Sequence, residues 1–80
     1  MPRYYFDMRD ADGVVPDEEG MDLATMKAVQ QEAAQALAYM VRDAIGEHPN
    51  GPLGPMVIEV RDDVGPVLQV NFQFSTARRK

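Results

Sequence analysis

An alternation of apolar side chains with mostly polar ones near the end of the chain constrains the fold most strongly. Between Pro66 and Phe74, one face carries only apolar side chains: Leu68, Val70, Phe72 and Phe74. The opposite face carries Val67, Gln69, Asn71 and Gln73. A period of two over nine residues is typical of a β-strand with one buried face. A sheet of such strands needs one covering layer, because only one of its faces is apolar.

Three earlier segments also have the pattern of strands. Residues 3–9 alternate, and their inward side chains are Tyr4, Phe6 and Met8. Residues 56–61 alternate likewise, and their inward side chains are Met56, Ile58 and Val60. A short strand at Val14 and Val15 stops at Pro16, which has no N–H to donate to a ladder. Glycine-containing turns at 10–13 and 62–65 join the strands into two hairpins that use the same turn.

A single amphipathic helix is predicted from Met26 to Ile45. Its apolar residues recur at steps of three and four and form one stripe: Met26, Val29, Ala33, Ala36, Leu37, Met40, Val41 and Ala44. Thr25 is the expected N-cap, and Asp22 is the alternative start. Gly46 is expected in the left-handed position that ends the helix. Met21 and Leu23 are expected to tuck beneath the domain where the chain enters the helix.

These elements predict an α+β fold, a two-layer β-β-α-β-β sandwich in which a small antiparallel sheet has one helix packed on one face. The four predicted strands, counted along the chain, are all antiparallel to their neighbours in the order 2-1-3-4, which is favoured over 2-1-4-3 with its one parallel pair. Residues 1–80 are expected to form a single domain. Residues 47–55 are expected to be a flexible connection, and residues 76–80 a frayed basic tail.

The charge distribution argues against nucleic-acid binding. The net charge is −5, and seven carboxylates lie between Asp7 and Asp22 against the single cation of Arg9. Such a field repels phosphate backbones. The chain has no cysteine and no apolar run of the length of a signal peptide or a membrane span. We therefore expect a cytoplasmic protein that does not bind membranes.

Residues that could carry catalysis are few. His48, the one histidine, lies among prolines and glycines with no visible partner to orient it. Asp10 and Asp12 have the opening spacing of a calcium-binding loop, but the remaining ligands and the glycine of that loop are missing. We predict no enzyme activity, no catalytic residue, no cofactor and no metal site. Adventitious cation binding by the acidic segment stays open.

Four exposed apolar side chains mark the candidate interaction surfaces. Tyr5 and Val57 are predicted on the outer face of the sheet, with Val67 near them. Tyr39 is predicted on the outer side of the helix. An isolated aromatic on a surface is ordinary, whereas a contiguous patch marks an interface.

The edge of the sheet raises the question of self-association. The outward residues of strand 67–74 carry no charge, and no lysine or proline interrupts the strand after Pro66. Exposed edges are usually guarded by such residues. An unguarded edge favours pairing with a second copy in a two-fold dimer. The alternative is that this strand lies inside the sheet, beside the first strand, and needs no guard.

The segments Pro2–Asp10 (PRYYFDMRD) and Pro16–Gly20 (PDEEG), followed by an alanine-rich helix, carry a resemblance to a known family. They resemble an uncharacterised family of small bacterial proteins, a domain of unknown function whose members typically begin MPRYFFHLRDG and continue with PDEEG. The resemblance covers essentially the whole chain. It implies a bacterial, cytoplasmic, stand-alone domain with no assigned activity.

The sequence departs from the pattern of that family at two positions near the first turn. Asp7 stands where members often have histidine, and Ala11 lies in the turn itself. The acidic segment 17–20 is retained. We expect it to have a structural role, with acceptors and negative charge near the start of the helix.

Two functions of different classes follow from these observations. The favoured one is a small non-catalytic protein-interaction or regulatory module that binds a protein partner or a second copy of itself. The alternative is a nucleic-acid-associated accessory such as an antitoxin-like protein, which rests on likeness of fold alone.

Overall fold

The computed structural model describes residues 2–49 and 53–77. Within those ranges the chain forms five strands and one helix. In chain order they are β1 (Arg3–Asp10), β2 (Gly13–Val15), β3 (Met21–Asp22), α1 (Met26–Glu47), β4 (Met56–Arg61) and β5 (Pro66–Phe72). The helix packs on one face of the sheet, so the predicted two-layer α+β architecture is confirmed.

The sheet is antiparallel throughout, and its order is β2-β1-β4-β5. This is the order 2-1-3-4 of the four predicted strands, with the first strand beside the third. The register pairs Phe6 with Val60 and Met8 with Ile58, so the inward side chains of β1 and β4 meet on one face. The strand β5 therefore lies at an edge of the sheet. The alternative order 2-1-4-3, which places this strand beside β1, is wrong.

The short strand β3 was not predicted. It pairs with the start of β1, on the same side as β2, and it sets Asp22 opposite Arg3 and Met21 opposite Tyr4. Met21 remains 41% exposed, so the expectation that it tucks beneath the domain is wrong, whereas Leu23 packs against the core. Pairing with β1 places Met21 beside the sheet, away from the centre of the core.

The helix begins as predicted and ends later. The Oγ1 atom of Thr25 accepts a hydrogen bond from the N–H of Ala28 at 3.1 Å, which satisfies one of the unpaired donors of the first turn. Gly46 has no positive φ and lies inside the helix, which continues to Glu47. The N–H of His48 closes the last turn on the carbonyl of Ala44.

The helix end moves the start of the predicted 47–55 connection. Glu47 is helical, so the connection to β4 begins at His48. Residues 50–52 of that connection and residues 78–80 of the basic tail lie outside the described residues.

The core lies between α1 and the middle of the sheet. Six apolar side chains of the described residues are buried: Tyr4, Val29, Ala33, Met56, Ile58 and Val60. The helix makes most of its sheet contacts with β4 and β5 and few with β1. As a result, the inner face of the β1–β2 hairpin extends beyond the cover of the helix, and Met8 and Val15 are exposed there.

Candidate interaction surfaces

A charged ladder crosses the outer face of the sheet, the face away from α1. The N–H groups of Arg61 reach the carboxylate of Asp7 at 2.9 Å, and Arg9 reaches Glu59 at 2.7 Å. The guanidinium of Arg61 also lies over the ring of Tyr5, 4.5 Å from its centroid, in a cation–π contact. Most of this face is therefore polar.

The ladder separates the apolar residues that the sequence placed together. Tyr5 is opposite Arg61, and Val57 is opposite Arg9 four pairs further along β1 and β4. Val67 lies at a bulge, because Arg61 pairs with Pro66 whereas Val60 pairs with Leu68. Its side chain is half-buried and packs against the core. These three side chains do not form one contiguous apolar patch.

Tyr39 lies in the other layer of the fold. It is 66% exposed on α1, so it is remote from the outer face that carries Tyr5 and Val57. The structure thus distributes the four candidate residues over separate surfaces. Their role as an interaction surface stays a prediction.

The carboxylate of Asp17 connects the acidic loop to β1 through hydrogen bonds. It accepts hydrogen bonds from the backbone N–H of Phe6 at 3.1 Å and from those of Glu19 and Gly20 at 3.2 Å. The N–H of Asp17 donates to Asp7 at 2.8 Å, and its carbonyl accepts from Arg61 at 3.0 Å. Phe6 lies between the stretches of β1 that pair with β2 and β3, so Asp17 replaces a missing ladder partner.

Gly20 closes this loop at a position that excludes a side chain. Its φ is +73°, and a Cβ atom there would come within 2.9 Å of both Arg3 Cγ and Tyr5 Cε2. Arg3 Nη1 also donates to the carbonyl of Glu19 at 2.6 Å. The structural role predicted for the acidic segment is thus local to the loop. The first turn of α1 itself carries no acidic residue, and stabilisation of its N-terminus by residues 17–20 stays a prediction.

The hydrogen bonds of Asp17 make the stability of the protein depend on pH. Burial raises the pKa of Asp17, but the N–H groups of Phe6, Gly20 and Glu19 and the charge of Arg61 outweigh this and hold it below its ordinary 3.8. A carboxylate whose pKa is lower in the folded than in the unfolded chain stabilises fully above the unfolded value. That contribution is lost as the pH falls through the folded value.

We therefore expect the stability difference between wild type and Asp17→Asn to shrink as the pH falls below about 4, because the substituted amide does not titrate. Urea denaturation of both proteins over this range measures the difference. The variant Asp12→Asn serves as the control. A difference for Asp17→Asn that stays constant down to about pH 2.5 would contradict this linkage.

An apolar groove runs between α1 and β5, and we call it the α1–β5 groove. Its volume is about 490 Å³. It is lined by Ala34, Leu37, Ala38, Val41, Arg42, Ile45, Val70 and Phe72. Beside Phe72 it continues toward Leu53 and Phe74. The groove adjoins the sheet edge at β5, which has one neighbouring strand, β4, among the described residues.

A second groove, the β1–β2 groove, lies on the inner face of the first hairpin, at the opposite end of the sheet order. Its volume is about 370 Å³. It is lined by Phe6, Met8, Val15, Pro16, Asp17, Glu18 and Glu19. Met8, which the alternation of β1 predicts to be in the core, is exposed because the helix lies toward the other end of the sheet.

The polar residues considered for catalysis or metal binding lie in the first hairpin turn and at the end of α1. Asp10 accepts from the N–H of Asp12 at 2.8 Å, and Asp62 accepts from Val64 and Gly65 in the other hairpin, so both turns use the same aspartate contact. His48 is exposed in a shallow pocket with Asp10 and Asp12. Residues 2–49 and 53–77 contain no group of three or more side chains placed to hold a metal ion. In the same ranges α1 is not apolar enough to cross a membrane.

These features define a small α+β domain with an open sheet edge and two grooves. Residues 3–73 match a family described as a domain of unknown function, DUF6894, and the chain belongs to that family. No curated protein matches the chain. No solved structure matches it either.

Proposed function

We propose that this protein is a non-catalytic interaction module that acts as a homodimer, with two copies joined along β5. The observation that carries the proposal is the unguarded edge of β5 with an apolar groove directly beside it. An edge strand presents unpaired N–H and C=O groups that can pair with the strand of another chain.

The side chains of β5 suit pairing with a second copy. Under a two-fold axis, the two β5 strands run antiparallel and each residue meets a residue of the same short segment. The outward residues are Gln69 and Asn71, which carry no charge. Like charges, which destabilise a pair when they lie directly opposite, are therefore not brought together.

The helices add an apolar contact to this pairing. Because α1 covers the same sheet face in both copies, the two α1–β5 grooves face each other across the axis. Ala34 and Ala38 are small enough to let the helix backbones approach closely, and Ile45 is 54% exposed in the isolated chain. Burial of such side chains is the main favourable contribution to association.

We expect wild type to sediment as a dimer at tens of micromolar. The double variant Gln69→Lys/Asn71→Lys places lysines opposite each other across the axis and should sediment as a folded monomer. Ile45→Lys should weaken the dimer through the groove. Matched controls are Val14→Lys, on the opposite edge of the sheet, and Tyr39→Lys, on the exposed side of the helix. Both should remain dimeric.

Two results would overturn the homodimer. One is a folded wild-type monomer at tens of micromolar. The other is a dimer that is lost equally in the groove variants and in their matched controls. Circular dichroism of every variant separates loss of association from loss of folding.

The antitoxin-like alternative has less support. The three arginines on the sheet each pair with a carboxylate, Arg3 with Asp22, Arg9 with Glu59 and Arg61 with Asp7. The net charge of −5 adds repulsion toward phosphates. We place the protein in the cytoplasm, since a chain without cysteine suits a reducing compartment.

A further inference from the structure

The β1–β2 groove combines an apolar floor with acidic sides. Phe6, Met8 and Val15 form the floor, and the last two are 36% and 59% exposed. A flexible methionine adapts to side chains of different shape, which is why methionine is common on binding surfaces. The floor offers a partner an apolar contact at the end of the sheet order that the proposed dimer leaves free.

Carboxylates stand on the loop at one side of this floor, and α1 carries two more on its flank toward β1. Glu18 and Glu19 stand on the loop at one side. On the other side is α1, and the helical spacing puts Glu32 and Asp43 on the flank away from the α1–β5 groove, toward β1. Glu32 is half-buried, in agreement with a position on that flank.

The acidic side of the groove is held in place by the contacts of Asp17. Its hydrogen bonds to Phe6, Glu19 and Gly20 fix the loop that carries Glu18 and Glu19 against β1. A fixed loop loses less conformational entropy when a partner binds than a mobile one does.

We propose that the β1–β2 groove binds a basic amphipathic helix of a partner protein. The apolar face of such a helix lies on Met8 and Val15, and its lysines and arginines reach Glu18 and Glu19, while the carboxylates on the flank of α1 add to the negative field. The charge complementarity selects this partner, because an acidic or neutral helix would leave the carboxylates unpaired or repelled. This site is separate from β5 and goes beyond the proposed dimerisation.

The probe is a five-turn synthetic helix of leucine and lysine with all leucines on one face. Its control is a peptide of the same composition in scrambled order. We expect the amphipathic peptide to bind in the micromolar range at low salt, with NMR shift changes concentrated at β1, β2 and residues 16–19. The scrambled peptide should bind at least about fivefold more weakly, since it presents no continuous apolar face.

Two matched pairs of variants test the floor and the charge separately. Val15→Ser should weaken binding about fivefold or more, whereas Val14→Ser, on the opposite face of the same strand, should change it less than about twofold. Glu18→Lys should weaken binding by a similar factor, whereas Asp63→Lys, with the same change of net charge in the distant turn, should not.

The proposal is overturned if both members of either pair have equal effects. Binding would then depend on net charge or on non-specific hydrophobic association, and not on this groove. Equal binding of the scrambled peptide, or no binding of the amphipathic one, overturns it as well. Since none of these variants lies on β5, sedimentation of the same proteins reports on the dimer independently.

Discussion

Asp17→Ala is expected to lower the free energy of unfolding by about 2–4 kcal/mol, a large share of the ~4–12 kcal/mol available to a chain of this length. The substitution leaves the N–H of Phe6 and those of Glu19 and Gly20 without their acceptor. Hydrogen bonds to a charged acceptor contribute about 1.5–3 kcal/mol each. Water can replace part of this in the exposed loop, so the total stays below the sum.

Urea denaturation at neutral pH and a fixed protein concentration measures this effect. Asp12→Ala is the control, since Asp12 lies in an exposed turn in which its carboxylate supports no other backbone group of the described residues. A loss for Asp17→Ala no greater than that of the control would show that the loop is not fastened through this carboxylate.

Ile58→Ala should destabilise the protein by about 2–5 kcal/mol. Ile58 is fully buried at the centre of β4, between Met8 on β1 and Val70 on β5, and belongs to the core beneath α1. Truncation removes three carbons from water-free surroundings and leaves a cavity that the neighbouring strands cannot fill. In so thin a core this change should leave little net stability.

Val64→Ala is the matched control for this second substitution. Val64 is 96% exposed in the turn between β4 and β5, so its truncation should shift stability by less than about 0.5 kcal/mol. Thermal denaturation of both variants gives the comparison. If Ile58→Ala melts like Val64→Ala, the core does not lie where the structure places it.

The periodicity of the sequence was sufficient to predict the main elements of the fold. The alternation around Ile58 and Val70 gave two strands, and the apolar stripe around Val29 and Ala33 gave the helix, because burial on one face imposes these periods. The directions of the strands left two orders open, and the favoured, all-antiparallel one is confirmed. The strand β3 was missed, since two residues are too few to show a period.

The surfaces were harder to predict, because they depend on register and on the position of the helix across the sheet. The contact between Arg61 and Asp7 joins residues far apart in sequence and exists only in the observed register. That contact covers Tyr5, which appears as an exposed aromatic in the sequence. The exposure of Met8 depends on how far α1 lies toward β5, and no local pattern encodes that offset.

The offset of α1 toward β5 has a consequence for the proposed dimer. In the proposed dimer the parts of the two sheets that α1 covers meet at the centre. The two β1–β2 grooves then lie at opposite ends of one continuous sheet. The assembly is then bivalent, and it can hold two basic helices at once. A partner that carries two such helices on a linker long enough to span the sheet gains avidity, because its second helix binds at a high effective concentration. A monomer with the same groove has no such advantage, so dimerisation through β5 would set the strength of binding at sites that β5 never touches.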